Sequence, residues 1–241
     1  KMINIKNKKG SQVAIVLSIV IFIGFFIFLY LLLIPKVSVE NNKNIVADLL
    51  NYKLTDEFSS PLTTVTLVLK EDYDSEGKDC IGIDHISGVN GLNSSARDGT
   101  GSLDSFSDSE KIMIDFEGSN EFFKIYYTEA SFTSTPSPED CNGLEEGEEY
   151  ELGLIKTTQE VFESKILDYI GYYDEDYGDL KEELDLSSGK EFYFNFTYDD
   201  GTSVSPTEKD TYGSLYVQRR NIEYIDLEAN KKIGVLEVWI W

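Results

Sequence analysis

Several residue types are scarce in this chain, and each scarcity excludes a class of function. The 241 residues include one histidine and two cysteines, too few for a zinc ribbon, an iron–sulfur cluster or a multi-histidine metal site. Only 21 lysines and arginines stand against 44 acids, giving a formal net charge of −23. Phosphate backbones require a basic surface, so we expect no nucleic-acid partner. With no Gly-x-Ser-x-Gly elbow either, we predict no catalytic residue, metal or cofactor, and therefore no enzyme.

Charge is absent from one long stretch near the N-terminus. Val13–Ile34 contains no charged residue, and a helix of this length rises about 33 Å, enough to cross a bilayer core of about 30 Å. Four lysines and no acid precede this stretch, whereas the acids all follow it. The positive-inside bias places the N-terminus in the cytoplasm and residues 36–241 outside the cell. We therefore predict a transmembrane helix that contacts membrane lipid through Val13–Ile34.

The residues that precede the apolar stretch carry a family resemblance. Lys8-Lys9-Gly10, followed by Ser11-Gln12 and an uninterrupted apolar helix, resembles the class III signal peptides of archaeal type IV pilin-like surface proteins. The resemblance covers about 35 residues, roughly one-seventh of the chain. It implies that a membrane peptidase cuts between Gly10 and Ser11. The helix would then stay on the mature chain and bundle with other copies in a cell-surface filament.

The remaining sequence indicates an α+β, β-rich fold with four parts. We predict a basic leader or cytoplasmic tail (1–10), a transmembrane or filament-core helix (11–35), a connecting helix (36–61) and an acidic extracytoplasmic domain (62–241). We expect the two helices to be separated by a break at Pro35, because proline lacks the backbone donor. The connecting helix has an apolar stripe at helical spacing, with Asn51 on its polar side. That stripe consists of Ile45, Val46, Leu49, Leu50 and Leu54.

The outer domain is predicted to be β-sandwich-like with one amphipathic helix. Alternating or aromatic segments predict strands, at Leu62–Leu69, Ile112–Phe116, Phe122–Tyr127, Tyr150–Lys156, Glu191–Tyr198, Tyr212–Val217, Asn221–Asp226 and Ile233–Trp241. Gln159–Glu163 is predicted to pair with the strand before it, and Glu117–Asn120 to close a hairpin. Residues 72–109 are interpreted as loops with a single strand at Ile81–Ile86. Ser164 is predicted to cap the helix, whose stripe is Ile166, Ile170, Tyr173, Tyr177, Leu180 and Leu184.

Three kinds of modification or binding site can be assessed from residue types. Cys80 and Cys141 form an even pair in a domain placed outside the cell, which predicts a disulfide. Asn93-Ser94-Ser95 and Asn195-Phe196-Thr197 are N-glycosylation sequons. The acids in 98–110 and 174–179 do not match the twelve-residue calcium loop. We interpret them as a solvated acidic surface.

Two hypotheses of function remain open at this point. In the first, the chain is a structural subunit of a pilin-like filament or a pseudopilin-like envelope component, a homo-oligomer assembled through its apolar helix. In the second, the helix is only a single-pass anchor, and the outer domain is a binding or adhesion module for an envelope or cell-surface partner. Tyrosine (15) and phenylalanine (14) are abundant, which suits either a contact surface or a β-sandwich core.

Overall fold

The computed structural model describes residues 8–70, 80–89, 92–108, 110–115, 122–133, 141–186, 189–211 and 213–241. For the helical residues 8–14 and 32–44 only the backbone is described. The described residues form an α+β, strand-rich fold. Its helices are α1 (Lys8–Glu57), α2 (Glu163–Glu175) and α3 (Tyr177–Glu183). Its strands begin with β1 (Ser59–Leu69), β2 (Cys80–Asp84), β3 (Asn93–Arg97), β4 (Ser102–Leu103), β5 (Ser105–Ser107), β6 (Lys111–Asp115) and β7 (Phe122–Thr128). They continue with β8 (Asn142–Leu144), β9 (Tyr150–Phe162), β10 (Phe192–Thr197), β11 (Ser203–Val204), β12 (Tyr216–Ile225) and β13 (Lys231–Ile240).

The strands make two sheets. The larger sheet has the order β11-β10-β13-β12-β9-β1-β7-β3-β4, and the smaller has the order β5-β6-β2-β8. The chain divides into two units, Lys1–Val46 and Ala47–Trp241. Both sheets belong to the second unit, which we call the folded unit.

One half of the large sheet packs against the small sheet. Val65 and Leu67 of β1 share a buried cluster with Ile83 of β2 and Ile114 of β6. Buried residues alternate with more exposed ones along β6 and the second half of β1, as expected for a sheet with one covered face, whereas Cys80–Ile83 of β2 are all buried. This half is therefore β-sandwich-like.

The other half of the large sheet is covered by helices. The ring of Phe58, just after α1, lies 5.7 Å from that of Phe194 on β10. Tyr173 of α2 contacts Phe192 at 5.4 Å and donates a hydrogen bond to its carbonyl at 2.7 Å. Trp241 exchanges backbone hydrogen bonds with Glu191, which confirms that the C-terminus is tied to the sheet.

Helix α1 differs from the prediction in two respects. It is assigned as one helix from Lys8 to Glu57, so the expected break at Pro35 is wrong as a helix boundary. The buried stripe of its last turns also differs, since Ile45 and Leu49 are exposed whereas Asn51 is buried. The buried residues recur at helical spacing and are Ala47, Leu50, Asn51, Leu54 and then Phe58. The stripe was misplaced because a small residue and an amide, not larger apolar residues, occupy buried positions.

The strand predictions fail mainly where pairing depends on distant segments. β6 pairs with β2 and β5, whereas β7 pairs with β1 and β3, so these two strands are not a hairpin. Glu117–Asn120 lies outside the described residues. The single strand predicted within 72–109 is present as β2, but this region also holds β3, β4 and β5. The segment 133–147, predicted to be a loop, contains β8.

In two places, two strands that were predicted to be separate form one longer strand. β9 runs without interruption through Lys156 and Gln159, and β12 runs through Arg219 and Arg220. Arg219 forms an ion pair with Glu237 at 2.7 Å on the neighbouring strand. Strand ends are predicted at these polar residues, but polar side chains can lie inside a strand where cross-strand partners satisfy them.

The helical region after β9 was placed correctly, but its predicted cap is wrong and it consists of two helices instead of one. Ser164 is not the cap: Phe162 occupies the N-cap position, and the Ser164 hydroxyl accepts from the backbone N–H of Ser131. Asp176 separates α2 from α3 and caps α3 by accepting from the N–H of Asp179. Most of the predicted stripe is buried, namely Ile166, Tyr173, Leu180 and Leu184.

Candidate functional site

The first candidate surface is the stretch Ile15–Leu31 of α1, which we call the apolar segment. Every large apolar side chain in it except Leu29 is exposed, by 51–65%. Its only polar side chains are those of Ser18 and Tyr30. Apolar side chains therefore surround this part of the helix, a pattern typical of a membrane span or the core of a helical assembly.

Within the described part of the chain, no helix is both apolar and long enough to cross a bilayer. The predicted span Val13–Ile34 also includes Val13, Ala14 and residues 32–34. The side chains of these residues lie outside the described part of the structure. Gly10 and Ser11 lie in the first turn of α1. Cleavage between them stays a prediction.

The predicted disulfide is present. Cys80, the first residue of β2, is bonded to Cys141, which directly precedes β8. β2 and β8 are parallel neighbours in the small sheet. The disulfide therefore connects two strands that the chain separates by 61 residues.

The two sequons lie in strands. Asn93 begins β3, and its side-chain nitrogen donates to the carbonyls of Glu129 and Ala130 at 3.2 and 3.1 Å. Its expected placement in a polar loop is therefore wrong. Asn195 lies in β10 on the face opposite the buried Phe194 and Phe196, and it donates to the Thr197 hydroxyl at 3.3 Å. Glycosylation of either residue stays a prediction.

Acids of the 98–110 region form turns. Asp98 accepts from the hydroxyl and N–H of Thr100, and the first of these hydrogen bonds contributes most to lowering the pKa of its carboxyl. Asp108 accepts from the N–H groups of Lys111 and Glu110, which lower the pKa of its carboxyl. Over the described ranges, no group of three or more potential metal ligands is found.

The single histidine faces a main-chain group. His85 Nε2 lies 2.8 Å from the carbonyl oxygen of Asp108, and its ring packs edge-on against Tyr127. A backbone carbonyl cannot act as a proton relay in the way a carboxylate can. The geometry therefore fits a structural histidine.

A second candidate surface lies on the solvent face of β1, β7 and β9, opposite the sandwich core. It is a depression of about 270 Å³, which we call the basic depression. It is lined by Leu62, Thr64, Thr66, Lys124, Tyr126, Leu154, Lys156, Thr158, Glu160, Ile225, Ala229 and Lys231. Its one acid, Glu160, is ion-paired with Lys231 at 3.0 Å. Lys124 and Lys156 form no ion pair with any described residue.

Cross-strand register adds a further cation to this face. Arg97 of β3 lies directly opposite Lys124 of β7, and its guanidinium donates to the carbonyl of Ala229 at 2.7 Å. Like charges directly opposite each other destabilise a sheet unless an anion lies nearby. The basic depression is thus locally cationic on a protein of net charge −23.

One edge of the basic depression is an open strand edge. β9 pairs with β1 along its length, but with β12 only at Val161 and Phe162. No described strand covers the rest of that edge. Leu154 and Ile155 on it are 69% and 50% exposed, high values for strand residues.

No family model, curated protein or solved structure matches this chain. The functional argument therefore rests on the two surfaces. The apolar segment was found from the sequence. The basic depression was missed because its cations are far apart in sequence and meet only through strand register.

Proposed function

We propose that this chain is a non-enzymatic structural protein of the cell surface, a pilin-like filament subunit or pseudopilin-like envelope component. The observation that carries the proposal is the apolar segment, whose side chains are exposed around the whole helix. Burying apolar area contributes about 25 cal/mol per Å². This surface therefore favours a non-aqueous environment, first in lipid and then among copies of the same helix.

The sequence before the apolar segment supports the same proposal. Lys8, Lys9 and Gly10 followed by Ser11 fit a leader that is cut while the helix is retained. The four lysines that precede the helix support an extracytoplasmic folded unit under the positive-inside bias. A retained apolar helix joined to a strand-rich outer unit is the arrangement that such a subunit requires.

The N-terminal residue and location of the native chain test this proposal. Cells are sheared, shed material is separated from membranes, and the intact mass of the chain is measured in each fraction. We expect the shed filaments to contain a chain that begins at Ser11. A chain found only in membranes, beginning at or before Lys1, contradicts the filament proposal.

A matched pair of variants sharpens the test. Gly10→Val should abolish processing and the shed fraction, because it alters the residue before the cut. Gly99→Val is the control, because a Cβ at Gly99 meets no atom within 4 Å and Gly99 lies outside helix α1. Equal amounts of shed chain from both variants would contradict the proposal.

The second candidate is a membrane-anchored binding module, and the basic depression beside the open edge of β9 favours it. In this case the apolar segment is only an anchor. The chain then keeps its leader, and Gly10→Val leaves location and binding unchanged. The same fractionation therefore separates the two candidates.

A further inference from the structure

We infer that the basic depression is a docking site for the carboxylates of a second copy of this chain, giving a head-to-tail contact between folded units. The inference rests on the proposed function, which brings copies side by side. It deepens that proposal by naming a contact outside the apolar helix. The occupant follows from charge, size and symmetry.

Charge identifies the class of occupant. Arg97 and Lys124 face each other across β3 and β7, and Lys156 lies on the same face, paired in register with Thr64 of β1. No described acid forms an ion pair with these three cations. A second copy, with 44 acids against 21 basic residues, is a carboxylate-rich surface that every assembly supplies.

Size is compatible with side chains of a protein. The depression has a volume of about 270 Å³, near the lower end of the range of small-molecule pockets, which is roughly 300–1,000 Å³. Its hydroxyl groups at Thr64 and Tyr126 suit single carboxylates. Exposed Leu154, which lines the depression, and the open edge of β9 offer further contact to a protein surface.

Symmetry argues for a head-to-tail contact. If two depressions met face to face, the same cations would oppose each other. Contact with a different, acidic surface avoids this repulsion and leaves the pair with one free depression and one free acidic surface. Such heterologous contacts propagate as open helical filaments when the rotation does not close a ring.

Zero-length cross-linking of the full chain tests the inference. A carbodiimide joins a lysine amine to a carboxylate only where the two are in contact, and mixing ¹⁴N and ¹⁵N chains identifies links between copies. We expect mixed-isotope links from Lys124 or Lys156 to carboxylates of the second copy. They should diminish in 1 M NaCl, where the Debye length is about 3 Å.

Charge reversal with a matched control completes the test. K124E/K156E also removes the amines that the carbodiimide joins, so association of this variant is measured by sedimentation of the full chain in detergent. It should lower the oligomeric fraction by about ten-fold or more, because two favourable pairs become unfavourable. The control K190E/R220E makes the same change in net charge outside the depression, and we expect less than about a two-fold effect. Equal losses in both variants would overturn the inference, as would links from Lys124 and Lys156 only to other proteins.

Failure of this inference is distinguishable from failure of the proposed function. If filaments beginning at Ser11 form equally well with K124E/K156E, and if unsubstituted filaments carry no links from Lys124 or Lys156, the docking site is wrong and the filament proposal stands. If the chain is unprocessed and remains in membranes but still shows mixed-isotope links from Lys124, the docking site stands and the filament proposal is wrong.

Discussion

Two parts of helix α1 present opposite surfaces. In the apolar segment, apolar residues lie on all sides and are exposed, whereas between Ala47 and Glu57 only one stripe is buried and Asp48, Tyr52 and Glu57 face solvent. The second part is amphipathic because the folded unit covers one of its faces. The first part has no polar face for water. The difference supports our proposal that lipid or other copies of the chain cover the apolar segment.

The largest expected effect comes from the disulfide. Cys80→Ser with Cys141→Ser should lower the free energy of unfolding of the folded unit by about 4 kcal/mol, because the bond closes a 61-residue separation. Membrane association should not change, since the apolar segment is unaltered. Chemical denaturation and membrane flotation measure the two properties. Loss of flotation in a variant that remains folded would contradict the independence of the two parts.

The next largest effect on the free energy of unfolding comes from a comparison within α1. Leu54 is fully buried, and Leu54→Ala should cost about 2–5 kcal/mol of unfolding free energy through the cavity that it leaves. Ile27→Ala in the apolar segment, where the side chain is 54% exposed, should leave that unfolding unchanged. Urea denaturation of the full chain in detergent measures both. Similar losses would show that the apolar segment is part of the folded core.

Gly234→Ala should have a smaller effect, again confined to the folded unit. A Cβ at Gly234 would lie 2.4 Å from Cζ of Phe196, a buried ring on the neighbouring strand. Overpacking of this kind costs about 1–3 kcal/mol. Gly24→Ala in the apolar segment is the control. A melting temperature lowered equally by both variants would contradict the comparison.

The smallest effect depends on pH. Burial, followed by repulsion from Glu183 and Asp56, raises the pKa of Glu57. A raised carboxyl pKa favours the folded state at pH values below the unfolded pKa, and that contribution is lost as pH rises through the folded pKa. Glu57→Gln should therefore stabilise the folded unit at pH 7 by about 0.5 kcal/mol or less, because exposed charges are screened. The gain should vanish at low pH.

The control for Glu57→Gln is Asp48→Asn, a change of another exposed acid on the same helix. Thermal unfolding at several pH values distinguishes the two. A gain from Glu57→Gln that persists at low pH would exclude charge repulsion as its cause.

The sequence predicted what depends on local pattern. The alternating aromatic residues of Phe192–Thr197 located β10, and the even cysteine count located the disulfide. The apolar segment was evident from composition alone. Each of these features needs only one short stretch or one pair of residue types.

Features that depend on distant partners were not predictable in this way. β6 and β7 are close in sequence but belong to different sheets, and the pairing partners that decide this lie elsewhere in the chain. The buried position of Asn51 depends on what packs against α1. The basic depression requires Arg97, Lys124 and Lys156 to come together from three strands. No local pattern in a single sequence indicates that three such distant residues lie close together.

The most direct test of the central claim compares Tyr30 and Tyr52, two tyrosines of α1 that are 65% and 62% exposed in the isolated chain. Hydroxyl radicals generated in water label exposed side chains in native membranes or filaments, and mass spectrometry measures the labelling of each residue. Our account predicts that Tyr52 is labelled and Tyr30 is protected, because only the apolar segment is buried by lipid or by other copies. Equal labelling of the two tyrosines would contradict the account.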